Sequence, residues 1–555
     1  MEPGTSVDNP AMPARVIALV LLIGATVGLL TTPRIVADGS NYLGMAMSLV
    51  ADNDLRWTPD DLARVRGLNL DAATTGLLLL KRANGYVFAK PMTYPLLAAP
   101  FVALAGAHGF MLLNGLLLAG LVLLGADVLS HRLAWPTALG VATVVIGASV
   151  TPVYLHWIDP FLLMSLLTAA AIAACRRERP VLAGALLGAM AATRFPYAAL
   201  LLGPALLYVA GRRWRHLALL AAAALVVCAG ALLLTRAATG QWSPYTGERY
   251  YYADAVPYEI PRAGEVGTRY TREDLVSNVW HPPSLADLAR GAGQLLVGRF
   301  AGVLLYTPAL VACLLWMRRL DREKAAWMLA LAVYCLITLL IIPHRRIGGT
   351  YALGSRLFVL LPVALVMVDF VAWRWGRILA TLALLALALP VVQAPVYLSL
   401  NPGRQTLVAP YKWFPVEWLS ALELPYPVEL DGMHGLTDQQ YWREEGGTWT
   451  RGGGRAQFVL IRPAGAPAAV EVWSLLPSAR IGEGNELRET AFEPFVRQTV
   501  SLSHPVAVIR DEYQDFAEFA VYLFTVETSS GVRAFEVLPN STDRRSLGVF
   551  VRALP

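Results

Sequence analysis

Long uninterrupted apolar runs constrain this chain more than any other feature. Ala218–Leu234 and Ile378–Val392 carry no charge and offer no polar face to water. A helix that is apolar all round is buried in a bundle or faces lipid, and about 20 such residues cross a bilayer core. Composition agrees, since 56% of the 555 residues are hydrophobic and 15% charged, against about a quarter charged in soluble domains. The chain therefore reads as a polytopic α-helical membrane protein. Candidate spans lie at 15–33, 109–130, 134–151, 158–175, 180–193, 195–210, 216–235, 296–316, 325–343, 355–373 and 376–398, about eleven in all. The fifth and sixth are short, and Arg194 and Pro196 lie near their junction. They read either as two half-length spans or as one broken pair. The first run, Val16–Leu30, has no convincing small-residue cleavage site after it, so it is expected to be a retained span rather than a signal peptide.

Loop charge sets the orientation. With the N-terminus in the cytoplasm, the inner connections hold His131-Arg132, Arg176-Arg177-Glu178-Arg179, Arg212-Arg213-Trp214-Arg215, Arg318-Arg319 with Arg322 and Lys324, and Arg374 with Arg377. All these basic clusters fall on one side, as the positive-inside rule requires. They also account for the net charge of +6 without nucleic acid as a partner. Three long segments then lie outside: 34–108, 236–295 and 399–555. The first contains Tyr42–Val50, an amphipathic stretch suited to the membrane surface, and an apolar piece at Tyr94–Ala107. The second is rich in tyrosine, with Tyr245, Tyr250, Tyr251, Tyr252, Tyr258 and Tyr270. Interfacial anchoring or stacking on a sugar or polyprenyl chain would each use such rings. Cys175, Cys228, Cys313 and Cys335 lie in or at the ends of apolar runs, with no CxxC spacing, and read as small packing residues.

Beyond Leu400 the pattern changes to alternating apolar and polar residues. Ala456–Arg462, Ala469–Leu475, Val506–Arg510 and Phe519–Val526 read as strands, punctuated by Gly446-Gly447 and Gly452-Gly453-Gly454. The expected organisation is a transmembrane catalytic domain over 1–400 and a β-sandwich over 401–555 on the outer face. A membrane-surface linker around Trp413, Phe414, Trp418 and Tyr426 would join them.

Ionisable groups near membrane depth are costly and point to function. Asp38 follows the first span within Ala37-Asp38-Gly39-Ser40-Asn41-Tyr42. It reads as a general base toward a hydroxyl, a ligand of a divalent metal, or an N-cap of the next helix. Asp159, in His156-Trp157-Ile158-Asp159-Pro160, is a second catalytic or metal-binding candidate, or a cap ahead of Pro160. His156 would be its neighbour. Arg345, Arg346 and Arg356 stand in a glycine-rich stretch, His344–Arg356, on the outer side against the charge bias. Arginine forks suit phosphate, and lipid headgroups are the bland partner. Lys90 and Arg194 are further candidates for the same anion.

These residues carry a resemblance. Asp38–Val50 followed by Asp52-Asn53-Asp54-Leu55 resembles the first outer loop of bacterial GT-C glycosyltransferases, a superfamily that includes protein mannosyltransferases and lipid A aminoarabinose transferases. Lys90–Phe101 looks like the segment entering their second span, and Gly348–Arg356 like a late Gly-Gly-x-Tyr-x-x-Gly-x-Arg loop. Gly435–Trp449, with Glu444 and Glu445, and then Arg451, loosely resembles the domain that follows the spans in some members. Many relatives place an acidic residue directly after the first aspartate, where this chain has Gly39. The resemblance implies an enzyme of the cytoplasmic membrane that takes a sugar from a polyprenyl-phosphate carrier at the outer face. The acceptor would be a hydroxyl of a glycan, lipid or protein. Asp38 would be the base, and Arg356 with Arg345 or Arg346 would bind the leaving phosphate. Tyr42 belongs to the same loop and would line the substrate site. No GxxxxGK[ST] loop appears. A transporter would require an internal repeat with polar residues near midbilayer, which the sequence does not display; an inactive glycan-binding membrane protein is the third class.

Overall fold

The computed structural model describes residues 11–35, 38–68, 70, 77–83, 85–243, 249–252, 256–259, 268–270, 285–298, 302–317, 320–341, 360–367, 375–394, 411–414, 432–435, 441–444, 447–511, 517–538, 541, 543 and 545–554. The helices begin with α1 (Ala14–Leu29), α2 (Gly39–Ala51) and α3 (Pro59–Gly67), continue with α4 (Thr93–Ala105), α5 (His108–Ser130) and α6 (Trp135–Gly147), and then α7 (Phe161–Arg176), α8 (Pro180–Thr193), α9 (Leu202–Ala210) and α10 (Trp214–Thr239). Later helices include 308–316, 322–341, 360–367 and 375–385. Among the described residues, four helices are long and apolar enough to cross a membrane: His108–Ser130, Trp214–Thr239, Arg322–Leu340 and Gly376–Gln393. Shorter apolar helices accompany them, including α1, α4, α6, α7 and α8.

Small residues let the helices approach closely. A Cβ at Gly24 of α1 would fall 2.5 Å from the Gly115 carbonyl oxygen and 2.6 Å from the Ala119 Cβ on α5. Gly184 and Gly188 of α8 face Leu220 and Ala224 of α10 in the same way, at 2.2 and 2.8 Å. Both are small-xxx-small seams, the geometry by which apolar helices gain packing without a hydrophobic driving force. The chain breaks after α8: Arg194 is extended at φ −148°, and Phe195–Leu201 forms a 3-10 turn ahead of α9. Pro196 explains the break, because it cannot donate into a continuing helix.

Five short strands build one antiparallel sheet from two distant segments. Strands β1 (Arg56–Trp57), β2 (Leu77–Arg82) and β3 (Gly85–Phe88) come from the first segment, and β4 (Arg249–Tyr252) and β5 (Thr268–Tyr270) from the second. Their order is β1-β3-β2-β4-β5, with Leu79 opposite Tyr250 and Leu80 opposite Arg249. The sheet sits beside α2: the Leu78 N–H donates to Asn41 Oδ1 at 2.8 Å, and Phe88 lies against Gly44. The amphipathic stretch read as membrane-surface is thus α2, enclosed by protein, with Tyr42, Leu43, Met45 and Ala46 buried. Asn41 and Ser48 are buried with them, which removes the free polar face a surface helix needs.

The C-terminal region is β-rich. Strands β6 (Gly432–Gly435), β7 (Tyr441–Glu444), β8 (Gly447–Arg451), β9 (Arg455–Pro463), β10 (Ala469–Ser474), β11 (Ser478–Glu483), β12 (Glu486–Ala491), β13 (Gln498–Ser501), β14 (Ala507–Asp511), β15 (Ala517–Glu527), β16 (Val532–Arg533) and β17 (Ser546–Ala553) form two antiparallel sheets. One runs β13-β10-β17-β8-β7 and the other β12-β11-β15-β9-β6. Val470, Val472, Val549 and Val551 of the first share one buried core with Phe458, Leu460, Tyr522 and Phe524 of the second. Alternation along β10, buried at Val470, Val472 and Ser474, is the period-2 pattern of a strand with one face covered.

Candidate functional site

Two chain turns are tied together at the end of the bundle where α2 and α7 begin. Arg34 N–H donates to the His156 carbonyl at 2.9 Å, and Ile158 N–H donates to the Arg34 carbonyl at 3.2 Å. This bridge brings the turn carrying Asp38 beside the turn carrying Asp159. Asn114, fully buried on α5, fixes the second turn from behind. Its Nδ2 donates to the Trp157 carbonyl at 2.8 Å and the Leu155 carbonyl at 3.3 Å, and its Oδ1 accepts from the Tyr94 hydroxyl at 2.8 Å. A buried amide with three such bonds has its main demands met.

Asp38 occupies the N-cap position of α2, yet its side chain makes no capping hydrogen bond. It reaches across to two cations instead. Lys90 Nζ lies 2.9 Å from Oδ1, and Arg194 Nη2 lies 3.6 Å from Oδ2. Lys90 stands just before α4, and Arg194 ends α8. The Arg194 guanidinium lies 5.4 Å from the centre of the Phe161 ring, at the start of α7. Because α7 and α8 are antiparallel and joined by a short hinge, the first turn of one and the last turn of the other lie together. Asp159, 2% exposed, sits two residues before Phe161. Its backbone N–H reaches the Tyr94 hydroxyl, and its carboxylate lies within electrostatic reach of that ring.

The remaining candidates divide. His156 is buried and turned toward the Thr32 carbonyl; burial pushes its imidazole below the usual value, and Arg34 acts in the same direction. Tyr42 packs inward, edge-on to Tyr94 at 5.8 Å between ring centres. Arg345, Arg346 and Arg356 lie outside the described residues. Gly39 is sterically constrained: a Cβ there would stand 3.3 Å from the Ile158 carbonyl oxygen. A side chain there would require the Ile158 carbonyl to give by a few tenths of an ångström. Among the described residues, no group of three or more His, Cys, Asp or Glu is placed to hold a metal ion. Asn114 and Tyr94 were not singled out by sequence, since one amide in an apolar run and one tyrosine in a proline-rich piece give no pattern.

The opposite end of the bundle holds the basic hinges. Arg176 pairs with Glu323 through Nε at 2.7 Å and Nη2 at 3.0 Å, and also donates to the Val128 carbonyl at 2.6 Å. Arg177 pairs with Asp127, Arg213 with Glu178 at 2.6 Å, and Arg132 with Asp321 at 3.8 Å. Hinges from four places in the sequence therefore meet at one end, away from Asp38.

Residues 88–343 match the family model of glycosyltransferase family 87. That is a GT-C-type membrane glycosyltransferase family, and the match supports membrane glycosyl transfer as the activity. It covers a little under half of the chain. Lys90, Tyr94, Asn114, His156, Asp159 and Arg194 fall within it, and Asp38 lies before it. No curated protein and no solved structure gives a match.

Proposed function

We propose that this glycosyltransferase moves a sugar from a polyprenyl-phosphate-linked donor to a hydroxyl acceptor at the outer face of the cytoplasmic membrane, with Asp38 as the base. The observation that carries the reading is the Asp38 carboxylate bridging Lys90 and Arg194 rather than capping α2. Two cations gathered on one carboxylate are a ready site for a phosphate, which arginine and lysine both bind through charge-assisted hydrogen bonds. When the donor phosphate takes the cations, the carboxylate is released to the acceptor. The acceptor oxygen attacks the anomeric carbon and its proton passes to Asp38. The bond from that carbon to the phosphate oxygen breaks, its electron pair leaves with the phosphate, and the configuration inverts. Lys90 and Arg194, joined by Arg345, Arg346 and Arg356 of the late loop, meet the charge that develops there. Asp159 is the second carboxylate, held behind the first by the Arg34 bridge.

About eleven spans, with the N-terminus inside and residues 401–555 forming a domain outside, put this site on the outer face. The gathering of the basic hinges at the other end supports that orientation. Helix α8 has 14 residues, a length of about 21 Å, against a hydrocarbon core of roughly 30 Å.

The test is donor choice. Purified protein in lipid nanodiscs, given a polyprenyl-phosphate sugar and a hydroxyl acceptor, should release one polyprenyl phosphate per sugar transferred, with inverted linkage. Transfer from a nucleotide sugar with none from the lipid-linked sugar would overturn the reading.

A further inference from the structure

The piece of chain that leads into Asp159 is held on two sides. Trp157 is extended, at φ −92° and ψ 136°, and in extended chain successive peptide groups turn to opposite sides. On one side the His156 carbonyl and the Ile158 N–H meet the backbone of Arg34, at 2.9 and 3.2 Å. On the other side two side chains take the place of a neighbouring strand. Asn114 Nδ2 donates to the Trp157 carbonyl at 2.8 Å and the Leu155 carbonyl at 3.3 Å. The Asp159 N–H donates to the Tyr94 hydroxyl, which donates in turn to Asn114 Oδ1 at 2.8 Å. Buried peptide groups need such partners, and Asp159 is among the most buried charged residues described.

Tyr94 joins this turn to the rest of the site. It lies in the first turn of α4, four residues after Lys90. Its ring packs edge-on to Tyr42 of α2 at 5.8 Å and against Phe110 of α5 at 5.5 Å. Helix α2 begins at Asp38. One side chain thus touches the elements that carry Asp38, Lys90 and Asp159. Its two parts have separate tasks. The ring sets α4 against α2 and α5, and a phenylalanine would pack there as well. The hydroxyl is costly to bury unless bonded, and its bonds go to Asn114 and to the Asp159 turn. Tyr94 is fully buried, so it acts on the site from behind and touches no substrate.

We infer that Tyr94 is a positioning residue for glycosyl transfer, its hydroxyl fixing the turn of Asp159 so that this carboxylate stands in place beside the turn of Asp38. The role rests on the glycosyl-transfer reading of the Asp38 site. It runs through Asp159 and not through Lys90, because the ring contacts that place α4 do not use the hydroxyl.

The experiment compares Tyr94→Phe, Asp159→Asn and the double variant in nanodiscs, using whichever donor the wild type accepts, a polyprenyl-phosphate sugar or a nucleotide sugar. Turnover at saturating donor and acceptor should fall about tenfold in Tyr94→Phe, while donor affinity stays within about twofold, the pattern of a reacting group displaced by a fraction of an ångström. Asp159→Asn should also be slower, and adding Tyr94→Phe to it should cost less than about twofold more, since residues that act as a unit do not add. Hydrogen exchange over residues 155–163 should be about fivefold faster or more in Tyr94→Phe, because a buried amide loses its acceptor. Exchange over α4 should not change. Normal turnover in Tyr94→Phe or in Asp159→Asn, additive losses in the double variant, or unchanged exchange over 155–163 would each overturn the inference. A loss of donor affinity as large as the loss of turnover would overturn it in favour of a packing role felt at Lys90. Transfer by the wild type from the nucleotide sugar alone would defeat the donor proposal and leave this one standing.

Discussion

The two ends of the helical bundle use charge differently. At the hinge end, cations meet acids drawn from other hinges, and Arg176 takes up Glu323 with two hydrogen bonds and a backbone carbonyl with a third. At the other end one carboxylate, Asp38, is shared by two cations, Lys90 and Arg194. At the hinge end each paired arginine has an acid of its own, an arrangement that staples helices together without a ligand. At the Asp38 end two cations share one carboxylate, with Asp159 in the adjoining turn, and the proposed donor phosphate would exchange with that carboxylate. The two ends thus differ in how cations and acids are shared more than in distance.

The two ends should differ most in turnover. Asp38→Asn keeps the size of the side chain and removes its capacity to take a proton, so transfer should fall by at least about 100-fold, read by product formation under saturating donor. A near-normal rate would move the base to Asp159. Next in size, Arg194→Ala should lose more than about tenfold in donor affinity, the worth of a charge-assisted phosphate contact of roughly 1.5–3 kcal/mol. Lys90→Ala should act in the same direction. The staple end should behave in the opposite way. Arg176→Ala should cost about 1–3 kcal/mol of stability by stranding Glu323 and the Val128 carbonyl, seen as a lower melting temperature, while turnover per folded molecule stays unchanged. Arg213→Ala breaks a more exposed pair with Glu178 and should shift stability by less than about 1 kcal/mol. A large loss of turnover in either staple variant would erase the distinction.

The smallest effect lies in the C-terminal region. The Asp543 carboxyl is held below its usual value, first by the hydrogen bonds from the Arg545 side chain. A depressed folded value means that the pair stabilises the fold above the unfolded carboxylate range, near pH 4, and that this contribution is lost as pH falls through the folded value. Acid unfolding should therefore be slightly less steep in Arg545→Gln than in the wild type.

Periodicity made much of this fold legible. The alternation at 456–462 and 469–475 corresponds to β9 and β10, and the apolar piece before residue 107 to α4. Pro196 marked the break that leaves Arg194 extended. Pairing between distant segments was not legible, because Leu79 and Tyr250 carry no local sign of each other. The seams at Gly24 and Gly184 were hidden as well, since glycines in an apolar helix do not reveal which neighbour they admit. For the site, Asp38, Lys90 and Arg194 stood out as charges near apolar runs. That they meet depends on the antiparallel packing of α7 and α8 and on the Arg34 bridge, neither of which a spacing encodes. Asn114 passes in sequence as one polar residue in a long span, and only its three buried hydrogen bonds give it meaning.

In the proposed mechanism Asp38 and a donor phosphate compete for the same two cations, and donor binding to Asp38→Asn tests this most directly. Equilibrium titration of the purified variant with polyprenyl phosphate in nanodiscs should give an affinity equal to or tighter than that of the wild type, because Lys90 and Arg194 no longer have to leave a carboxylate. Weaker binding in this variant, with the fold intact, would mean that Asp38 helps to hold the donor, and would contradict the exchange on which the mechanism rests.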